Sequence, residues 1–91
     1  MAVNITARHM EGGERHEHIA RVRWQNTTDA SNTGENSRQK MVDWIRDKGG
    51  RAYVRDSAGA VDVKVVEASP PYLRTYADGR WTDNLLALPT F

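Results

Sequence analysis

Three histidines stand close together in the chain, at positions 9, 16 and 18, with Glu11 between the first two. Imidazole and carboxylate are zinc ligands, and three of one with one of the other would fill a tetrahedral shell. To meet, they need a hairpin. VNITARH (3–9) and HIARVRW (18–24) both alternate apolar and polar residues, as half-buried strands do. A tight turn with Gly13 and Glu14 at its centre pairs Val3 with Trp24, Ile5 with Val22 and Ala7 with Ala20, so that the two apolar faces coincide. In that register His9 faces His18, Glu11 faces His16, and all four side chains share one face. The simpler reading is that these are solvated histidines at a wet strand end. Such a cluster could also titrate near neutrality. His-x-His spacing alone is a weak metal signal.

A second set lies in YLRTYADGRWTD, residues 72–83. Asp78-Gly79 is the strongest short hairpin signal in the chain. Centring a turn there sets Tyr76 against Trp81, Arg74 against Asp83 and Tyr72 against Leu85 on one face, with Thr75 against Thr82 on the other. Such cross-strand pairs each add roughly 0.2–1 kcal/mol. Two uses fit the pattern. The aromatics can pack as core, which is the more common fate of an aromatic stripe. Or Tyr72, Arg74, Tyr76, Trp81 and Asp83 can form a recognition face. Trp, Tyr and Arg are enriched where protein interfaces carry their binding energy. Sheets that bind single-stranded nucleic acid also show aromatics flanked by arginine, and Arg21, Arg23 and Arg80 could join Arg74 in that role. Asp83 in the middle would repel phosphate. A binding or regulatory module with a protein partner, or one that self-associates, is therefore the leading function class. A nucleic-acid binder and a metal-binding domain are the alternatives.

Other elements must position these residues. Met41, Val42, Trp44 and Ile45 are spaced for the apolar face of a helix. Asn36 or Ser37 can cap its start, Asn36 with Gln39 resembles a capping box, and Gly49-Gly50 ends it. Arg38 and Lys40 fall in its first turn, where the helix dipole disfavours cations; they face water or hold an anion. Residues 27–36 read as a mobile polar loop. RAYVRD and AVDVKVVE flank a short turn at 57–59, and Pro70-Pro71 stops the second of these strands. The order is ββαββββ. It predicts an α+β fold: one domain over 1–91, with a curved antiparallel sheet of five to six strands and one helix on its apolar face.

Bulk composition narrows the rest. Ninety-one residues suit one domain, and 38% apolar with 27% charged is ordinary for a globular chain. A net charge of +1 does not call for nucleic acid. There are no cysteines, which excludes disulfides and thiolate chemistry. The first residues do not form a secretory signal, and no apolar run approaches membrane length. A cytoplasmic setting is the default expectation. No Gly-x-Ser-x-Gly or His-Glu-x-x-His motif is present, so catalysis has little support and no cofactor is implied.

HEHIARVRW at 16–24, SRQKMVDWI at 37–45, AYVRD at 52–56 and PPYLRTYADGRWTDNLLALP at 70–89 together resemble a small uncharacterised bacterial family, domain of unknown function 3892. The resemblance spans nearly the whole chain. It implies a stand-alone domain with no assigned activity, substrate or cofactor, and it carries over no catalytic residue.

Overall fold

The computed structural model describes residues 1–57 and 59–91. β1 (Ala2–Met10) and β2 (Ile19–Asn26) pair antiparallel, with Val3, Ile5, Ala7 and Val22 turned into the core. The register differs from the expected one. Ile5 lies opposite Trp24, Arg8 opposite Val22 and Met10 opposite Ile19, with irregularities between Ile5 and Ala7 and between His9 and Met10. The cause lies in the connection. No two-residue turn forms at Gly13-Glu14; residues 11–18 instead carry a 3-10 turn at His16–His18. Gly12, not Gly13, takes the positive φ, at 81°. Gly13 is needed for a different reason: the His18 ring lies over it, and a β-carbon there would come within 2.6 Å of that ring. Ile19, which strict alternation would set on the side opposite Ala20, Val22 and Trp24, is fully buried.

The segment expected to be a polar loop folds in part as a strand. β3 (Thr33–Ser37) pairs with β2 from Arg21–Ser37 to Gln25–Thr33 and forms one edge of the sheet. Side chains across β2 hold it. Arg21 Nε donates to Glu35 Oε1 at 2.7 Å, Trp24 Nε1 donates to Asn36 Oδ1 at 3.1 Å, and the Trp24 ring covers Gly34. Asn36 is thereby committed, so Ser37 is the cap, its hydroxyl accepting from the Lys40 N–H at 3.3 Å.

α1 (Arg38–Asp47) buries Met41 and Val42 and half-buries Trp44 and Ile45. It ends as expected: Gly49 adopts φ 66°, and the Gly50 N–H returns to the Trp44 carbonyl at 3.0 Å. β4 (Arg51–Asp56), β5 (Gly59–Val66), β6 (Tyr72–Ala77) and β7 (Arg80–Thr82) then run antiparallel to one another. The expected turn at 57–59 includes Ala58, which lies outside the described residues. Among the described residues the sheet has seven strands, in the order β3-β2-β1-β4-β5-β6-β7. It is larger than expected by β3, and not wholly antiparallel: Ala2–Asn4 of β1 pairs parallel with Arg51–Tyr53 of β4.

That parallel contact is short, and it leaves the rest of β1's edge open. The end of the chain fills it. After β7 a 3-10 turn (Asn84–Ala87) sends Leu85 fully into the core and packs against β1, β4 and β6. The Arg8 N–H then donates to the Pro89 carbonyl at 2.9 Å, and the Phe91 N–H to the Arg8 carbonyl at 3.0 Å. The result is one α+β domain whose core joins both halves of the sheet, α1 and Leu85. Among the described residues no helix is long and apolar enough to cross a membrane.

Leu85 stands where these layers meet. Leu85→Ala is expected to destabilise the fold by about 2–5 kcal/mol, the usual range for a buried leucine. The check is a lower urea midpoint at unchanged denaturant slope.

Candidate binding face and its flanking pocket

The hairpin of residues 72–83 forms in its expected register. Asp78 (φ 53°) and Gly79 (φ 80°) both take the left-handed conformation that a two-residue turn of this kind demands. Tyr76 pairs with Trp81 and Thr75 with Thr82. Arg74 Nη2 reaches Asp83 Oδ1 at 2.9 Å, and Arg74 Nε donates to the Thr82 carbonyl at 3.1 Å. Tyr72 does not face Leu85, because β7 stops at Thr82 and Leu85 turns inward.

The side that β6 buries is Leu73 and Thr75. Tyr72, Arg74 and Tyr76 therefore lie on the opposite face, half-exposed, and Trp81 is 41% exposed. The aromatic stripe is thus not core. It is stiff all the same. The Tyr76 and Trp81 rings meet edge to face with centroids 5.0 Å apart, and Lys64 Nζ lies 4.6 Å from the centre of the Tyr76 ring.

The register across three strand pairs extends this face. Tyr53 lies opposite Asp62, Asp62 opposite Tyr76, and Tyr76 opposite Trp81. Directly opposed residues share a face, so Tyr53, Asp62, Tyr76 and Trp81 form one transverse row. Lys64 and Arg74 form the next. Sequence reasoning missed Tyr53 and Lys64. Each sits at an outward position of its own strand, but only the long-range register from β4 to β6 brings them beside Tyr76.

Where β7 ends, the 3-10 turn at His16–His18 packs against β6. An open concavity of ≈ 590 Å³ lies there, lined by Glu14, Arg15, Glu17, Tyr72, Arg74 and Asp83, with His16 in its wall. The His16 side chain is only 9% exposed, and its Nε2 has no hydrogen-bond partner among the described residues. Asp83 Oδ1 is 3.7 Å away, beyond hydrogen-bond range. Burial, and then the Arg74 guanidinium, hold the imidazole pKa below its ordinary value; Asp83 and Glu17 oppose them but do not prevail. The lowered pKa favours the uncharged ring at neutral pH, and the 3.7 Å approach to Asp83 is an ion pair only when the imidazole is protonated.

The remaining expected site residues are dispersed. His9 contacts the Phe91 main-chain oxygen through Nδ1, with its ring tilted against that of Phe91 at 5.7 Å. His18 accepts from the Arg15 N–H at 3.2 Å through Nδ1, and Glu11 is exposed in the connection. The register that would gather His9, His16, His18 and Glu11 is not formed. Among the described residues no group of three or more His, Asp or Glu is placed to share a metal ion. Arg21 and Arg23 both turn to Glu35, at 2.7 and 3.7 Å, and the Arg23 guanidinium also stacks 4.0 Å from the Phe91 ring centre. They lie on the far half of the sheet from Tyr76 and Trp81. The Arg38 guanidinium donates to the Glu17 carbonyl.

A sequence model of the family described as protein of unknown function (DUF3892) matches residues 3–89. The chain belongs to this family. No curated protein and no solved structure gives a significant match. DUF3892 membership thus brings no assigned chemistry, and the face and pocket rest on their own geometry.

The Glu35 ties make one consequence measurable. The Arg21 hydrogen bond holds the Glu35 carboxyl below the usual glutamate range. A depressed folded-state pKa contributes stability above the unfolded value and loses it as pH falls through the folded one. Amide protection in residues 33–37 is expected to drop as pH is lowered from the ordinary glutamate value of 4.5 through the depressed folded-state value. Glu35→Gln should flatten that dependence.

Proposed function

We propose that this protein is a small binding module that docks a protein partner on the outer face of β4 to β7. Trp81 and Tyr76 act as anchors, with Tyr53 extending the row and Tyr72, Arg74 and Asp83 lining its pocket end. The observation that carries this reading is Trp81. Among the described residues it and Met1 are the exposed large apolar side chains. An indole at the surface, already fixed against a neighbouring ring, gives up little conformational freedom when covered. Tyr, Trp and Arg are the side chains on which interface energy concentrates.

The charges around the row favour a protein over a polyanion. Asp62 lies between Tyr53 and Tyr76, and Asp83 is paired with Arg74. A phosphate backbone would meet carboxylates in the middle of the face. A protein surface of mixed charge can match both signs. The partner is a second protein or another copy of this chain, and the working setting is the cytoplasm.

The test compares tagged wild-type protein with Trp81→Ser in native lysate, with and without nuclease treatment, and in self-association measurements. The variant is expected to keep the wild-type melting temperature and to weaken partner capture or self-association at least about thirtyfold, the loss of a hot spot of about 2 kcal/mol. Equal capture by both proteins defeats the reading. Retention that disappears with nuclease, or with rising salt, transfers the face to nucleic acid.

A further inference from the structure

Residues 11–18 do not form the minimal turn that joins two paired strands. They fold across to β6, and the side chain buried in the process is an ionisable one, His16. Its surroundings come from several elements. Arg74 approaches from β6, Asp83 from the end of β7, Arg8 from β1 and Glu17 from its own turn. Glu14, Arg15 and Tyr72 line the same concavity. Arg38 of α1 reaches the neighbouring Glu17 carbonyl.

This environment accepts a neutral imidazole and resists a charged one. The neutral ring leaves one nitrogen unmatched, a modest cost. The imidazolium would have to shed its water beside the Arg74 cation. Asp83 is poorly placed to compensate. Its Oδ1 is 3.7 Å away, that oxygen already accepts from Arg74 at 2.9 Å, and its side chain is 73% exposed, so water screens it. Once residues 11–18 lift off β6, the ring regains water and no such resistance remains.

We propose that His16 is a proton-operated latch: neutral, it holds residues 11–18 against β6; protonated, it releases them and so removes one wall of the pocket beside Tyr72, Arg74 and Asp83. This goes beyond the docking reading and does not depend on it. The sign follows from linkage. The open segment binds a proton near the ordinary histidine value of 6.5, whereas the closed one binds it only at lower pH. Closure is at full strength above 6.5 and weakens as pH falls from there to the closed-state value, below which the effect levels off.

Hydrogen exchange on the full chain, expressed as protection factors for the amides of residues 14–18, reads the opening directly. NMR titration of the His16 ring reads the proton. Protection is expected to fall by up to about tenfold per pH unit between about pH 6.5 and the His16 midpoint. The ring should titrate below 6.5. Asp83→Asn should move that midpoint to lower pH, and Arg74→Gln to higher pH. His16→Gln should show no pH dependence in this window. If His16→Gln does not fold, the ring titration and the Asp83 and Arg74 variants still decide the matter. The latch is overturned if His16 titrates at or above 6.5, if wild-type protection of 14–18 is flat with pH, or if neither neighbouring substitution moves the midpoint.

Discussion

The buried hydroxyl of Thr75 decides where the chain leaves the sheet. It donates to the Thr82 carbonyl at 3.0 Å and accepts from the Thr82 hydroxyl at 2.7 Å and from the Asn84 N–H at 3.1 Å. A hydroxyl with no exposure must find such partners inside the protein, and here all of them lie in the segment that ends β7. The strand therefore stops at Thr82, and the next residues turn rather than extend. Leu85 enters the core because of that turn, and the tail reaches Arg8 of β1 because Leu85 has entered. The early stop also leaves the Tyr72–Arg74 end of β6 without a strand on its β7 side. The 3-10 turn of residues 16–18 packs against β6 there, and the pocket forms between them.

The same economy governs the charges. Ten arginines and three lysines could make a basic surface, yet the net charge is +1. The fold spends many of those cations on specific partners: Arg21 and Arg23 on Glu35, Arg46 on Glu67 and Asp43, Arg74 on Asp83, Arg8 on the Leu88 carbonyl. Exposed pairs of this kind add little stability. Their effect is positional: β3 is tied to β2, and Arg74 bridges the gap where β7 ends. A face assembled this way offers aromatic area inside alternating charge. It selects a partner by shape and local complementarity more than by long-range attraction.

What could be read in the sequence was what local chemistry decides. Asp78-Gly79 can adopt the backbone its turn requires, so the pairs Tyr76–Trp81 and Thr75–Thr82 follow by counting. Ser37 and Gly49 bound α1 for equally local reasons. The failures have a common cause. β3 lacks apolar alternation because it is an edge strand held by side chains of β2, and nothing within TGENS announces a strand. In YLRTYA both alternating sets contain apolar surface. The larger rings suggest the wrong buried face, whereas Leu73 and Thr75 are the residues buried. The register of the first hairpin does not follow from its sequence because two glycines in succession can hold either a tight turn or, as here, a longer path with His18 lying over Gly13. Tyr53 and His16 join the candidate site only through contacts between distant segments, which no local pattern reports.

His16 and Asp83 approach each other from opposite ends of the chain, and this bears on how the domain holds together. The short parallel pairing of β1 with β4 joins the two halves of the sheet on one side. On the other side closure depends on two irregular segments, residues 11–18 and 84–91, neither of which has the regular ladder of a strand pair. Segments with few backbone bonds and much exposed polar surface open at lower free energy than the sheet they cover. The aromatic row is instead built on paired strands and stays fixed when such a segment moves. A rigid row with a labile seam at its end separates two properties in one small domain: the row can keep its shape for recognition while the seam responds to its surroundings. Burial of a titratable ring at that seam places the response on a segment that lacks the backbone ladder of a paired strand.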